Sequence, residues 1–130
     1  SETLWTATST GPLTPTSPEK REWANGEGLT FRRTISVDED YMFSVTEEVE
    51  NKSSGDVALS PYARLFRFGA PKTPSVWIQH EGLLGVPGDA GLQEITFASA
   101  VAEPPQIFDG KTGGWVGVTD KYWASAIVPD

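Results

Sequence analysis

The chain has 130 residues, 18 acidic and 10 basic side chains, one histidine and no cysteine, for a net charge of −8. Such acidity excludes binding to nucleic acid or to an anionic membrane surface by charge alone. The lack of cysteine excludes disulfides and thiolate chemistry, and the length suits one domain, 1–130, with its own core.

Leu4 to Thr8 is a short β-prone run. Gly11 to Pro18 carries Pro12, Pro15 and Pro18, which fix φ and remove ladder donors, so it is expected as an extended connection. Glu19 to Trp23 leads into Asn25-Gly26, a strong hairpin signal. From Gly28 to Val37 the pattern alternates. Leu29, Phe31, Arg33, Ile35 and Val37 share one face, and Thr30, Arg32, Thr34 and Ser36 the other. Arg33 is the misfit and is expected at a rim or beside an acid.

Asp38-Glu39-Asp40 reads as a turn, Tyr41 to Glu50 as a second alternating strand, and Asn51 to Asp56 as a loop. Val57 to Phe68 is expected as a third strand with a bulge or edge at Pro61, making a meander. Ala70 to Pro74 is a connection, and Ser75 to Val86 a strand or two with glycine bends. After a turn at Pro87 to Gly91, a short helical turn competes with a strand over Leu92 to Phe97. Ala98 to Pro105 is expected as a mobile loop and Gln106 to Phe108 as extended chain.

Gly113 to Trp123 is the most informative stretch. Gly113, Gly114 and Gly117 permit positive φ or close approach, while Trp115, Val116 and Val118 place apolar groups on both faces of a strand. Thr119, Asp120 and Lys121 mark a turn, and Tyr122 to Val128 a second strand ended by Pro129. The reading is structural: Trp115 is expected to be largely buried, with Trp123 packed close to it. No helical period is sustained and strands recur about every 8–12 residues, which predicts an all-β, antiparallel, twisted sandwich.

No chemistry is legible. His80 and Glu81 are adjacent and would point to opposite faces of a strand, so a structural or surface role is expected. Asp38-Glu39-Asp40 lacks a calcium-loop pattern, and zinc would need cysteine or several histidines. Ser60 and Ser75 lack a nucleophile-elbow context. No catalytic, metal or cofactor residue is assigned, and no glycosidase or mutarotase activity is expected. Trp5, Trp23 and Trp77 sustain an alternative, a carbohydrate-binding module whose tryptophans stack on sugar rings.

Gly113-Gly114-Trp115-Val116-Gly117-Val118-Thr119-Asp120-Lys121-Tyr122-Trp123, continued by Ala124 to Asp130, resembles a signature of the YidC insertase family's periplasmic domain. Gly28 to Val37, Tyr41 to Val45, Glu50-Asn51-Lys52 and Pro61 to Arg64 resemble the same domain, in the same order. The resemblance implies a supersandwich, a fold shared with sugar mutarotases, of which this chain would be an incomplete excerpt. It implies a non-catalytic accessory role in inserting and folding inner-membrane proteins in the periplasm of a Gram-negative bacterium. The partners it implies are accessory subunits of the Sec translocon and nascent membrane proteins. No insertase residue carries over, because the family's groove lies in its membrane part. No run here approaches the roughly 20 apolar residues of a membrane span. Ser1-Glu2-Thr3 opens without a signal-peptide pattern, as expected of a soluble excerpt. Missing flanking strands would leave an unpaired edge open to self-association or to a partner.

Overall fold

The computed structural model describes residues 3–69 and 80–129. The expected Ala70 to Pro74 connection, Trp77 and the first part of Ser75 to Val86 lie outside the described residues. The chain divides into two compact units, Ser1–Ser60 and Pro61–Asp130. Each contains a four-stranded antiparallel sheet, and among the described residues one six-residue helix completes the regular structure. The all-β, antiparallel class is as expected.

The first unit holds β1 (Thr6–Ala7), β2 (Glu19–Ala24), β3 (Leu29–Val37) and β4 (Phe43–Asn51), in sheet order β1-β2-β3-β4. Every strand pairs with its sequence neighbour, so local hairpins build the sheet. At the β2–β3 turn the Asn25 side chain accepts from the amides of Glu27 (2.8 Å) and Leu29 (3.0 Å). This widens the expected tight turn into a loop closed by Asn25 N–H donating to Leu29 O.

Register puts the apolar residues of β3 beside those of its neighbours. Phe31 lies opposite Trp23 and Val49, Ile35 opposite Val45, and Val37 opposite Phe43. The rings of Trp23 and Phe31 stack with centroids 5.1 Å apart. Leu29, 8% exposed, is the one buried large apolar residue among those described. Arg33 interrupts the stripe as expected: its Nε donates to Glu47 Oε1 at 2.7 Å, and its guanidinium lies 4.9 Å over the Trp5 ring.

On the polar face Arg32 spans three strands. It donates to Glu22 on β2 and Glu50 on β4, each at 2.8 Å, and Lys52 also pairs with Glu50. Glu50 and then Glu22 raise the Arg32 pKa, while Lys52 and then Arg32 hold the Glu50 carboxyl below its ordinary value. These pairs are solvent-exposed and set register more than stability.

The third strand expected over Val57 to Phe68 is absent: this segment is irregular. Asn51 ends β4 by turning the chain back on itself. Its side chain donates to Gly55 O at 2.9 Å and accepts from Ser53 N at 2.9 Å. Pro61 then removes a donor that a new ladder would need. The meander is therefore β2-β3-β4, preceded by β1, instead of continuing past residue 57. The outer edge of β4 has no strand partner among the described residues.

The second unit holds β5 (Gly82–Pro87), β6 (Gln93–Thr96), α1 (Phe97–Ala102), β7 (Gly114–Thr119) and β8 (Ala124–Ile127), in sheet order β6-β5-β7-β8. Over Leu92 to Phe97 the strand prevails: β6 covers Gln93–Thr96, and only Phe97 of that run is helical. The mobile loop expected from Ala98 is instead α1, whose N-cap Thr96 accepts from Ser99 N at 3.1 Å. A six-residue helix is too short to show a period in the sequence. Gln106 to Phe108 is irregular and forms no strand.

Candidate functional site

The expected signature forms the β7–β8 hairpin. Its entry depends on Gly114, whose φ is 97°. A Cβ there would lie 1.9 Å from the carbonyl oxygen of Val86 on β5, so only glycine lets the two backbones meet. Trp115 pairs with Val86, and Gly117 with Leu84 and Ala126. Gly117 is buried, and the Trp115 ring rests over it: Cζ3 lies 3.2 Å from where a Cβ would stand. Trp115 and Gly117 thus work as one packing unit, a large ring over a missing side chain.

Asp120 organises the turn. Its Oδ1 accepts from the amides of Tyr122 and Trp123, both at 3.1 Å, and its own N–H donates to Trp123 O at 2.9 Å. Its Oδ2 pairs with Arg67 at 2.7 Å, with 10% of the Asp120 side chain exposed. The Tyr122 and Trp123 amides, followed by Arg67, hold the Asp120 carboxyl below the usual carboxylate range against the opposing effect of desolvation. Arg67 also lies 5.4 Å over the Phe97 ring, which ties the irregular segment before residue 70 to α1 and to the hairpin.

Thr119 fixes the other side. Its hydroxyl lies 3.0 Å from His80 Nδ1 and donates to His80 O at 3.4 Å. His80 Nε2 is buried without a hydrogen-bond partner among the described residues. The single histidine thus sits beside β7, held through Thr119.

The hairpin also departs from expectation. Trp115 is half-buried, and Trp123 does not pack under cover: it is 78% exposed, beside Tyr122 at 74%. Val116 is 51% exposed, so the first strand is not covered on both faces. The reason is local. β8 starts at Ala124, so Tyr122 and Trp123 belong to the turn, where their backbones serve Asp120 and their rings project outward. Lys121 lies over the Tyr122 ring at 5.3 Å. A shallow cleft of about 190 Å³ opens beside the turn, lined by Arg67, Thr119, Asp120, Trp123 and Ser125.

The carboxylate and guanidinium in this cleft neutralise each other, and both Asp120 oxygens are engaged. The arrangement suits a rigid turn that presents aromatic rings. Arg67 was not legible as a member: it lies in the run read as a strand, and no spacing links it to Asp120. Elsewhere, Asp38 of the acidic triplet is a turn residue whose carboxylate accepts from Asp40 N and Met42 N at 2.9 Å. Among the described residues no group of three or more His, Asp or Glu could hold a metal ion.

The family model for the YidC periplasmic domain matches residues 1–130. The chain belongs to this family. Its curated relatives include proteins named "Membrane protein insertase YidC". The one from Rhizobium johnstonii is 50% identical over 127 residues, covering 98% of this chain and 21% of that protein. The one from Rhizobium meliloti is 45% identical over 128 residues, covering 98% and 22%. The one from Bradyrhizobium diazoefficiens is 47% identical over 129 residues, covering 99% and 20%. The chain thus spans about a fifth of the length of these relatives. No solved structure matches it. The family resemblance read from the sequence is thus borne out over the whole chain.

Proposed function

We propose that the chain is a non-catalytic, periplasmic portion of a YidC-type insertase, accessory to the insertion and folding of inner-membrane proteins. The observation that carries this reading is the match of the periplasmic-domain family across residues 1–130, together with 45–50% identity to insertases. Its partners in this reading are nascent membrane proteins and the accessory subunits of the Sec translocon. No described helix is long and apolar enough to cross a membrane. Contacts therefore fall to exposed features, the Tyr122–Trp123 turn and the outer edge of β4 among them.

The alternative, a carbohydrate-binding module, has less support. Two of its three candidate rings are engaged within the first unit, Trp5 under Arg33 and Trp23 on Phe31, and the third, Trp77, lies outside the described residues. The test is made in the full-length protein, with a photo-crosslinking amino acid at Trp123 in one strain and on the outer edge of β4, at Thr46, in another. Adducts with a membrane protein under synthesis, or with a translocon subunit, are expected, at sites accessible to protease added to spheroplasts. Protection from that protease, or saturable oligosaccharide binding with no protein adduct, would sink the proposal.

A further inference from the structure

A second surface lies in the first unit. The β3–β4 connection holds Tyr41 at φ 63°, the one non-glycine residue with positive φ among those described. This conformation is uncommon outside glycine, and such positions recur where the surrounding structure has a use for them. Here the surroundings enforce it. Asp38 Oδ1 accepts from Asp40 N and Met42 N, Asp38 N–H donates to Met42 O at 3.0 Å, and Tyr41 N–H donates to Asp38 O at 3.2 Å. The result is a rigid tip that holds three apolar side chains in solvent: Tyr41 is 83% exposed, Met42 66% and Phe43 59%.

The tip forms one wall of an open groove of about 450 Å³. Val37, Tyr41 and Phe43 line it from the hairpin, and Leu13 and Pro15 from the β1–β2 connection. That second wall is also fixed, because Thr14 and Ser17 exchange two backbone hydrogen bonds of 3.0 Å. Thr14, Asp38 and Glu39 complete the lining, and no basic side chain contributes to it. The groove is therefore apolar, pre-shaped and rimmed by negative charge alone.

We propose that this groove is a docking site for an apolar polypeptide segment carrying basic residues. Charge complementarity selects that occupant: the apolar walls accept aliphatic side chains, and the Asp38–Glu39 rim accepts Lys or Arg and repels acidic segments. A second copy of this chain, at net charge −8, would bring more negative charge to the rim. A sugar could draw on Thr14 and Glu39, but the walls of Leu13, Pro15, Val37 and Phe43 leave most of the groove without a partner for its hydroxyls. The proposal rests on the first unit alone and stands whether or not the insertase reading holds.

The test uses the 130-residue chain and four probes followed by fluorescence anisotropy or heat. They are a labelled peptide alternating Leu and Lys, its Leu–Glu and Ser–Lys counterparts, and maltoheptaose. Only the Leu–Lys peptide is expected to bind saturably. Tyr41→Gly is the decisive variant, because glycine suits the left-handed backbone and leaves the fold as stable or more so. It removes a central ring of the groove, so affinity should fall by at least about tenfold. Glu39→Lys should weaken binding further at low salt than at high salt. Equal binding of the Leu–Glu or Ser–Lys peptide would overturn the proposal, as would no saturable binding, or affinity unchanged in a folded Tyr41→Gly. Maltoheptaose binding lost in Tyr41→Gly would replace it with a carbohydrate site.

Discussion

The two units reach the same kind of sheet by different means. In the first, each strand pairs with its neighbour in sequence, and long alternating strands carry an apolar stripe. In the second, β5 lies between β6 and β7, and the chain passes through α1 and an irregular return before β7 pairs with β5. Contacts there are less local and loop closure costs more. What makes them fit is close backbone approach: Gly114 lies against Val86, and Gly117 under Trp115. The first unit relies mainly on side chains that are present, with one close backbone approach at Gly28 beside Ser53, and the second on several that are missing.

This contrast breaks most visibly at Gly114. Gly114→Val forces a branched side chain onto a φ of 97° and into the Val86 carbonyl. The expected cost exceeds about 3 kcal/mol, enough to unfold a marginal domain. Denaturant melts of wild type and variant check it, and equal midpoints would mean that the second sheet does not depend on that approach.

Leu29→Ala is the counterpart in the first unit. Leu29 is the one buried large apolar residue described, and its truncation is expected to cost about 2–3 kcal/mol. An intact midpoint would show that the first sheet has no core at that position. The two tryptophans sharpen the comparison within one hairpin. Trp115 is half-buried, so Trp115→Ala is expected to cost about half of the usual 3–5 kcal/mol, roughly 1.5–2.5 kcal/mol. Trp123 is 78% exposed, so Trp123→Ala should stay within about 0.5 kcal/mol of wild type. Similar costs for both would contradict the outward turn.

The smallest expected effect concerns pH. The folded state holds the Asp120 carboxyl below its unfolded value, so its contribution to stability is present above the unfolded value, about pH 4. That contribution is lost as pH falls through the lower folded value. Asp120→Asn cannot ionise, so its melting midpoint should fall less steeply than that of wild type between about pH 5 and pH 2. Parallel acid profiles would show that Asp120 carries no such linkage.

Much of the first unit was legible because period-two alternation is itself the physical signal of a half-buried strand. Leu29 to Val37 alternates and is a strand, and Arg33 found the acid that its place on the apolar face required. The glycines and the turn of the Gly113 to Trp123 stretch could be read too, since positive φ and tight turns restrict residue type locally. Three features could not. Val57 to Phe68 has strand-like composition, but a strand exists only with a ladder partner, and Pro61 with the Asn51-capped loop denies it one. α1 is too short to show a helical period. Arg67 meets Asp120 only because the chain folds back, and no local pattern encodes that meeting. Sequence by itself determined the all-β class, the hairpin turns and the apolar stripe, because each depends on residues near one another in the chain. The tertiary structure alone decided which strands pair across long separations, where Arg67 lands, and that Trp123 faces solvent, because those depend on which partner is within reach.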